Sequence, residues 1–322
     1  MIRLLGAEAT RLLSRRFTGI ALLVLLLGLG AYQLVVNKSL SPITGEQLAT
    51  AEQAYQQSHK DWVENHEKYE QDCRDTGGGT AEDCTVPEPT LNDFSVEPTP
   101  FAEAARTSLQ LSTVLISLVT FMIAASFIGA EYSSGSISNW LTFVPRRGAV
   151  FWSKLLTLIG FAALLGTLGA ALVVAAALVL ARLHNSPIES LRDVAEMGAR
   201  STLAIAGLAV LGFCLGVVTR HTAGAMGVLL AFVVVSFVRI GPLSSLAWAQ
   251  RITPWTPEGN LAAIVERGYK YYVPVEKITP DGMNIEFAAH NLSLTHGLVY
   301  WAILLVVVVA GSLLIFRRRD VT

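Results

Sequence analysis

The sequence predicts an all-α integral membrane protein of six transmembrane helices with both termini cytoplasmic. Three observations carry this. Of 322 residues, 52% are hydrophobic and only 15% charged, against roughly 25% charged in a soluble domain. Charge-free runs of 17 to 27 residues cover 17–36, 107–130, 155–181, 201–219, 222–238 and 298–316. At about 1.5 Å per residue, about 20 apolar residues cross the roughly 30 Å hydrocarbon slab. Third, segments 1–16, 131–154, 220–221 and 317–322 hold 11 basic and 3 acidic residues in 48 positions. Segments 37–106, 182–200 and 239–297 hold 13 basic and 22 acidic residues in 148 positions. The denser basic set belongs on the cytoplasmic side. A soluble enzyme, a disordered chain and a nucleic-acid binder are excluded.

Residues 1–16 predict an amphipathic interfacial helix. Ile2, Leu5, Ala9, Leu12 and Leu13 share one arc, with Arg3, Arg11 and Arg15 opposite. The run 17–36 is longer than the 7–15-residue core of a signal peptide, so it is the first span rather than a cleaved leader.

Residues 37–106 form an acidic extracytoplasmic insert. Leu48, Tyr55, Trp62 and Tyr69 recur every seven residues, and Gly and Pro are absent from 46–75, which predicts a long helix. The stripe is too thin for an autonomous coiled coil, so it should pack on another outer segment or on a second copy. Cys73 and Cys84 flank a triple glycine in this loop, and on an oxidising face they should form a disulfide. His59 and His66 are read as a solvated pair rather than metal ligands.

In the second span (107–130), Gln110, Thr113, Ser117 and Thr120 make one polar stripe. Polar groups facing lipid are costly, so the stripe lines a pathway or serves as helix glue, its hydroxyls bonding backbone carbonyls.

The cytoplasmic loop 131–154 has a pattern of its own. Ile137, Trp140, Leu141 and Val144 mark a short amphipathic helix that Pro145 stops, and Arg146, Arg147 and Lys154 anchor re-entry to the inner headgroups. Such a helix suits docking into a partner's groove.

The third span (155–181) leads through the outer loop 182–200 to the fourth (201–219). Gly212 and Gly216 there make a close-packing face, and a tight turn at Arg220 enters the fifth span (222–238). In the Pro-rich, re-entrant outer segment 239–297, Thr256-Pro257-Glu258 starts a short helix that Gly268 can stop. The sixth span (298–316) ends in the basic tail 317–322.

No phosphate-binding loop, zinc-protease motif or paired intramembrane acid occurs. The six runs hold no Asp, Glu, His, Lys or Arg, the usual carriers of coupling charge in ion-driven transporters. This argues that any energy for transport comes from outside this chain.

Glu131, Gly135 with Ser136, Leu141, Pro145 with Arg146 and Arg147, and then Lys154 resemble the segment after the second span in type-2 ABC exporter permeases. The short turn between the fourth and fifth spans and the Pro-rich outer segment fit as well. The resemblance implies a permease subunit of a bacterial plasma-membrane exporter, with no catalysis of its own. Glu131, Gly135, Ile137, Trp140, Leu141, Val144, Pro145 and Arg146 would form the coupling helix, and Arg220 a second, smaller contact. Partners would be two copies of an ABC ATPase, a second permease copy or a paralogue, and membrane lipids. The chain would bind no cofactor, since ATP and Mg are used by the ATPase. An amphipathic small molecule, a peptide or a lipid-linked substrate would be the cargo. A membrane-anchored sensor or assembly factor binding a ligand through its acidic loop is the alternative.

Overall fold

The computed structural model describes residues 2–41, 44–75, 84–94, 99–137, 142, 146–279 and 282–318. In chain order these form α1 (Ile2–Leu13), α2 (Arg16–Leu40), α3 (Gly45–Asp75), α4 (Phe101–Ser133) and α5 (Arg147–Leu183). They continue with α6 (Leu191–Thr219), α7 (Thr222–Ile240), α8 (Ala247–Arg251), α9 (Pro257–Val265), a hairpin of β1 (Gly268–Thr279) and β2 (Gly282–Ser293), and α10 (Leu294–Arg318). Helices α2, α4, α5, α6, α7 and α10 are long and apolar enough to cross a membrane. All-α membrane architecture therefore holds, with one small sheet added.

The helices overrun the charge-free runs. Lipid demands apolar side chains only within the hydrocarbon, whereas backbone hydrogen bonding carries a helix on through the headgroups. Glu131 consequently lies inside the last turn of α4, and Lys154 about two turns into α5.

Helix α4 is the centre of the bundle. Helix α6 packs along it through two glycines: a Cβ on Gly212 would stand 2.5 Å from the Phe121 carbonyl oxygen, and one on Gly216 would stand 3.0 Å from that of Ala125. Backbones this close gain dispersion that larger side chains would forbid. Helix α5 covers another side of α4 and α6, and α2 lies over α4 and α5. Helix α7 touches α4 and α6 but leaves most of its apolar surface, including Leu230, Val235 and Phe237, exposed.

At one end lie α1 and the turns before α5 and α7; this is the basic end. At the other, acidic end the insert and residues 241–293 gather. Arg239, in the last turn of α7, is buried there. Its guanidinium donates to Glu258 Oε1 from two nitrogens (2.9 and 3.2 Å), to the Ala249 carbonyl (3.0 Å) and to Thr253 Oγ1 (3.2 Å). This fork fastens α8 and α9 to the end of α7. Thr256 caps α9 by accepting from the Gly259 amide, and Trp301 Nε1 of α10 donates to the Pro257 carbonyl. Strands β1 and β2 follow, which the sequence reading did not anticipate, antiparallel from Gly268 opposite Ser293 to Thr279 opposite Gly282.

The insert folds on itself. Cys73 and Cys84 are bonded, with Cα atoms 5.7 Å apart. The returning chain lies against α3: Trp62 Nε1 donates to the Val86 carbonyl (2.9 Å), the Val86 amide donates to Glu70, and the Tyr55 and Phe94 rings meet at 6.4 Å. The middle of the seven-residue stripe is thus covered by the insert's own second half rather than by a distant segment, while Leu48 and Tyr69 stay exposed. His59 pairs with Glu88, and His66 bonds the Trp62 carbonyl while stacking on its ring.

Candidate functional site

At the basic end a ring of charge is sealed inside the protein. Lys154 Nζ lies 2.8 Å from Glu8 Oε2 of α1 and 2.8 Å from Glu131 Oε2 of α4, and all three side chains are buried. Arg15, immediately before α2, donates to Glu131 Oε1 (3.2 Å) and to the Ser126 carbonyl (3.0 Å). Both cations also sit over the Phe127 ring, at 4.7 and 4.8 Å from its centroid. The two carboxylates meet Lys154 and Arg15, with Arg11 standing 4.0 Å from Glu8 at the more exposed edge, and this pairing makes their burial tolerable.

Two readings from sequence are corrected here. Lys154 is no headgroup anchor: it turns inward, because two carboxylates and an aromatic face wait there. Nor does α1 lie with only its apolar arc inward. It docks on α5 with Glu8 and Leu12 buried and Leu13 exposed, so the inward face is rotated to bring Glu8 to Lys154. The charge-free runs are as read, but ionisable groups stand fully buried just beyond their ends.

The cluster closes a loop. Glu131 precedes and Lys154 follows the segment of the expected coupling helix, so one ion pair clamps both roots of that segment. Gly135 ends α4 at φ +68°, a left-handed conformation that glycine adopts freely. Ile137 is buried in the main core, and Arg146 is exposed just before α5. Trp140, Leu141, Val144 and Pro145 lie outside the described residues. Arg220 caps α6 at φ +57°, and its guanidinium lies 5.6 Å from the Tyr132 ring. The two expected coupling regions therefore touch, through neighbours of Glu131.

The polar stripe of α4 is divided. Thr113, Ser117 and Thr120 are buried. Thr113 Oγ1 donates to the Leu109 carbonyl (2.6 Å) and Thr120 Oγ1 to that of Ile116 (2.9 Å). Ser117 Oγ has no hydrogen-bond partner among the described residues. Gln110 points out at the acidic end and donates to Glu266 (3.1 Å). Burial raises the Glu266 pKa, partly offset by that hydrogen bond.

Sequence reading missed Glu8, Arg15 and Arg239. Arg15 and Arg239 stand at the edges of apolar runs and Glu8 lies within a basic flanking segment, so each reads as ordinary, and only long-range partners distinguish it. The basic cluster joins α1, the residue before α2, α4 and α5.

Compared with known proteins, the chain is matched over residues 9–321 by the family model described as ABC-2 family transporter protein. No curated protein matches it.

Proposed function

This chain belongs to the ABC-2 family of transporter proteins, and on that premise we propose that it is the permease subunit of an ATP-driven exporter in a bacterial plasma membrane. Two copies of a separate ATPase power it, binding ATP and Mg themselves. The pathway runs between this chain and a second copy or a paralogue, near α4 and α7. The basic end faces the cytoplasm, in keeping with its density of Lys and Arg.

The observation that carries the coupling role is the buried Glu131–Lys154 pair (2.8 Å). It makes the roots of the 131–154 loop a single unit with α1, so a push on the loop moves α4 and α5 together. Helix α7, with its apolar surface uncovered in one chain, has the character of an element facing lipid or a second subunit. An amphipathic small molecule, a peptide or a lipid-linked compound is the cargo class that fits the mostly apolar surfaces along the spans.

The test is co-purification with a candidate ABC ATPase co-expressed with this chain, comparing wild type with Trp140→Ala plus Leu141→Asp. Loss of the ATPase and of substrate-stimulated hydrolysis supports the coupling assignment; unchanged binding and hydrolysis overturn it. Labelling of a cysteine at position 140 from the extracytoplasmic side would overturn the orientation.

A further inference from the structure

At the acidic end a cavity of about 550 Å³ opens between α4, α6 and the first residues of β1, a volume suited to a small ligand or a headgroup. Arg106 and Gln110 line it from α4, Arg200 and Glu196 from α6, and Glu266 and Arg267 from the link between α9 and β1. With Lys270 the lining has four basic residues against three acidic ones, Asp193 being the third.

The carboxylates do not exhaust the arginines. Arg106 stands 3.6 Å from Asp193, and Arg267 and Arg200 stand 3.6 and 3.7 Å from Glu196. All three separations exceed ordinary hydrogen-bond length, so N–H donors remain for a ligand. Arg200 is set in place by its Nε, which donates to the Val265 carbonyl (3.1 Å). Arg267 holds φ +65°, a backbone state that glycine or asparagine adopts more easily. That conformation puts a guanidinium on the cavity wall where a turn alone would not require one.

We propose that this cavity binds a phosphate-type anionic headgroup through Arg106, Arg200 and Arg267. Guanidinium groups arriving from three elements suit an anion with oxygens in several directions, a tetrahedral phosphate, better than a planar carboxylate. The inference rests on and deepens the permease reading, because Gln110 both lines the cavity and begins the polar stripe of α4.

The test uses the full-length protein purified in a neutral maltoside detergent, without ATPase. Probes are a short-chain phosphatidylglycerol, glycerol phosphate and an uncharged short-chain glycolipid. Variants are Arg267→Gly, which fits the left-handed backbone and so spares the fold, and Arg267→Gly with Arg106→Gln. Wild type should bind a phosphate probe saturably, and the double variant at least tenfold more weakly at an unchanged thermal midpoint. Preference for phosphatidylglycerol assigns the phosphate to a lipid, and equal binding of glycerol phosphate assigns it to a soluble ester. The proposal falls if neither phosphate probe saturates, if the double variant keeps its affinity, or if the glycolipid binds as tightly. Because ATPase co-purification is a separate measurement, failure here leaves the permease reading standing, and a failed co-purification is distinguishable from a failed binding measurement.

Discussion

The ammonium of Lys154 and the carboxylate of Glu131, 2.8 Å apart and both buried, join the two roots of one loop. Glu8 completes the contact from α1 at the same distance. A surface pair this far apart in sequence would contribute little, since water screens it. A buried one is different: removing one partner strands the rest without solvent.

Lys154→Met should therefore destabilise the protein by roughly 3–5 kcal/mol, because Glu8 and Glu131 would be left close together without their shared cation. Adding Glu8→Gln, which leaves Glu131 paired with Arg15, should restore most of the thermal midpoint in detergent. The restored protein should still lose ATPase stimulation if the charge ring transmits force. A Lys154→Met variant as stable as wild type would show that the pairs do not hold the helices.

The insert yields a local prediction. Joining Cys73 to Cys84 closes a short loop, 11 residues apart in sequence, and removing such a link costs roughly 2–3 kcal/mol by the chain-entropy model. Cys73→Ser should loosen residues 84–94 from α3, raising amide exchange at Val86, whose N–H donates to Glu70. Exchange in α4 and α6 should not change, because the insert's described contacts at Tyr55, His59, Trp62 and Glu70 lie within itself. A general rise across the spans would contradict this.

These sites show how far the sequence was legible. The six spans stand out because lipid excludes charge, and charge-free runs are visible without knowing any partner. Lys154 and Glu8 are invisible to the same reading. Lys154 borders an apolar run and Glu8 lies in the basic segment before the first one, where charges of either sign are ordinary, and only the meeting of three helices tells inward from outward. The hairpin is a different miss. Tyr269, Tyr271 and Val273 lie on one face and the sequence Pro280-Asp281-Gly282 is a turn signal, yet the segment holds five prolines, which a sheet interior does not tolerate. Among them Pro274 sits inside β1, in a sheet of only two strands where proline is tolerated. For the stripe of α4, composition fixed one polar face but not whether the hydroxyls serve a pathway or their own backbone.

Arg239 supplies a sharper test of the outer elements. Its planar fork reaches Glu258 from two nitrogens while also satisfying the Ala249 carbonyl and Thr253. Arg239→Lys keeps the charge but cannot supply these directions at once. It should lower stability by about 1–3 kcal/mol, the cost of leaving buried acceptors unpaired. Cross-linking between cysteines placed in α7 and α9 should fall with it. An unaffected cross-link yield would show that the contacts of α9 with α6, α10 and β1 hold it without the Arg239 fork.

Glu266 gives a prediction in pH. Burial raises its pKa in the folded protein above the ordinary value of 4.5, outweighing the hydrogen bond from Gln110. A carboxyl with a raised folded pKa binds its proton more tightly folded than unfolded, so ionising it costs stability. That cost is absent below about pH 4.5 and grows as pH rises through the folded pKa. Glutamine at this position still accepts from Gln110 but does not ionise. Glu266→Gln should therefore match wild type in thermal midpoint at acid pH and exceed it at neutral pH, with the gap opening between the two pKa values. If wild type is instead the more stable form at neutral pH, the ionised carboxylate is being stabilised in the cavity and the desolvation argument fails.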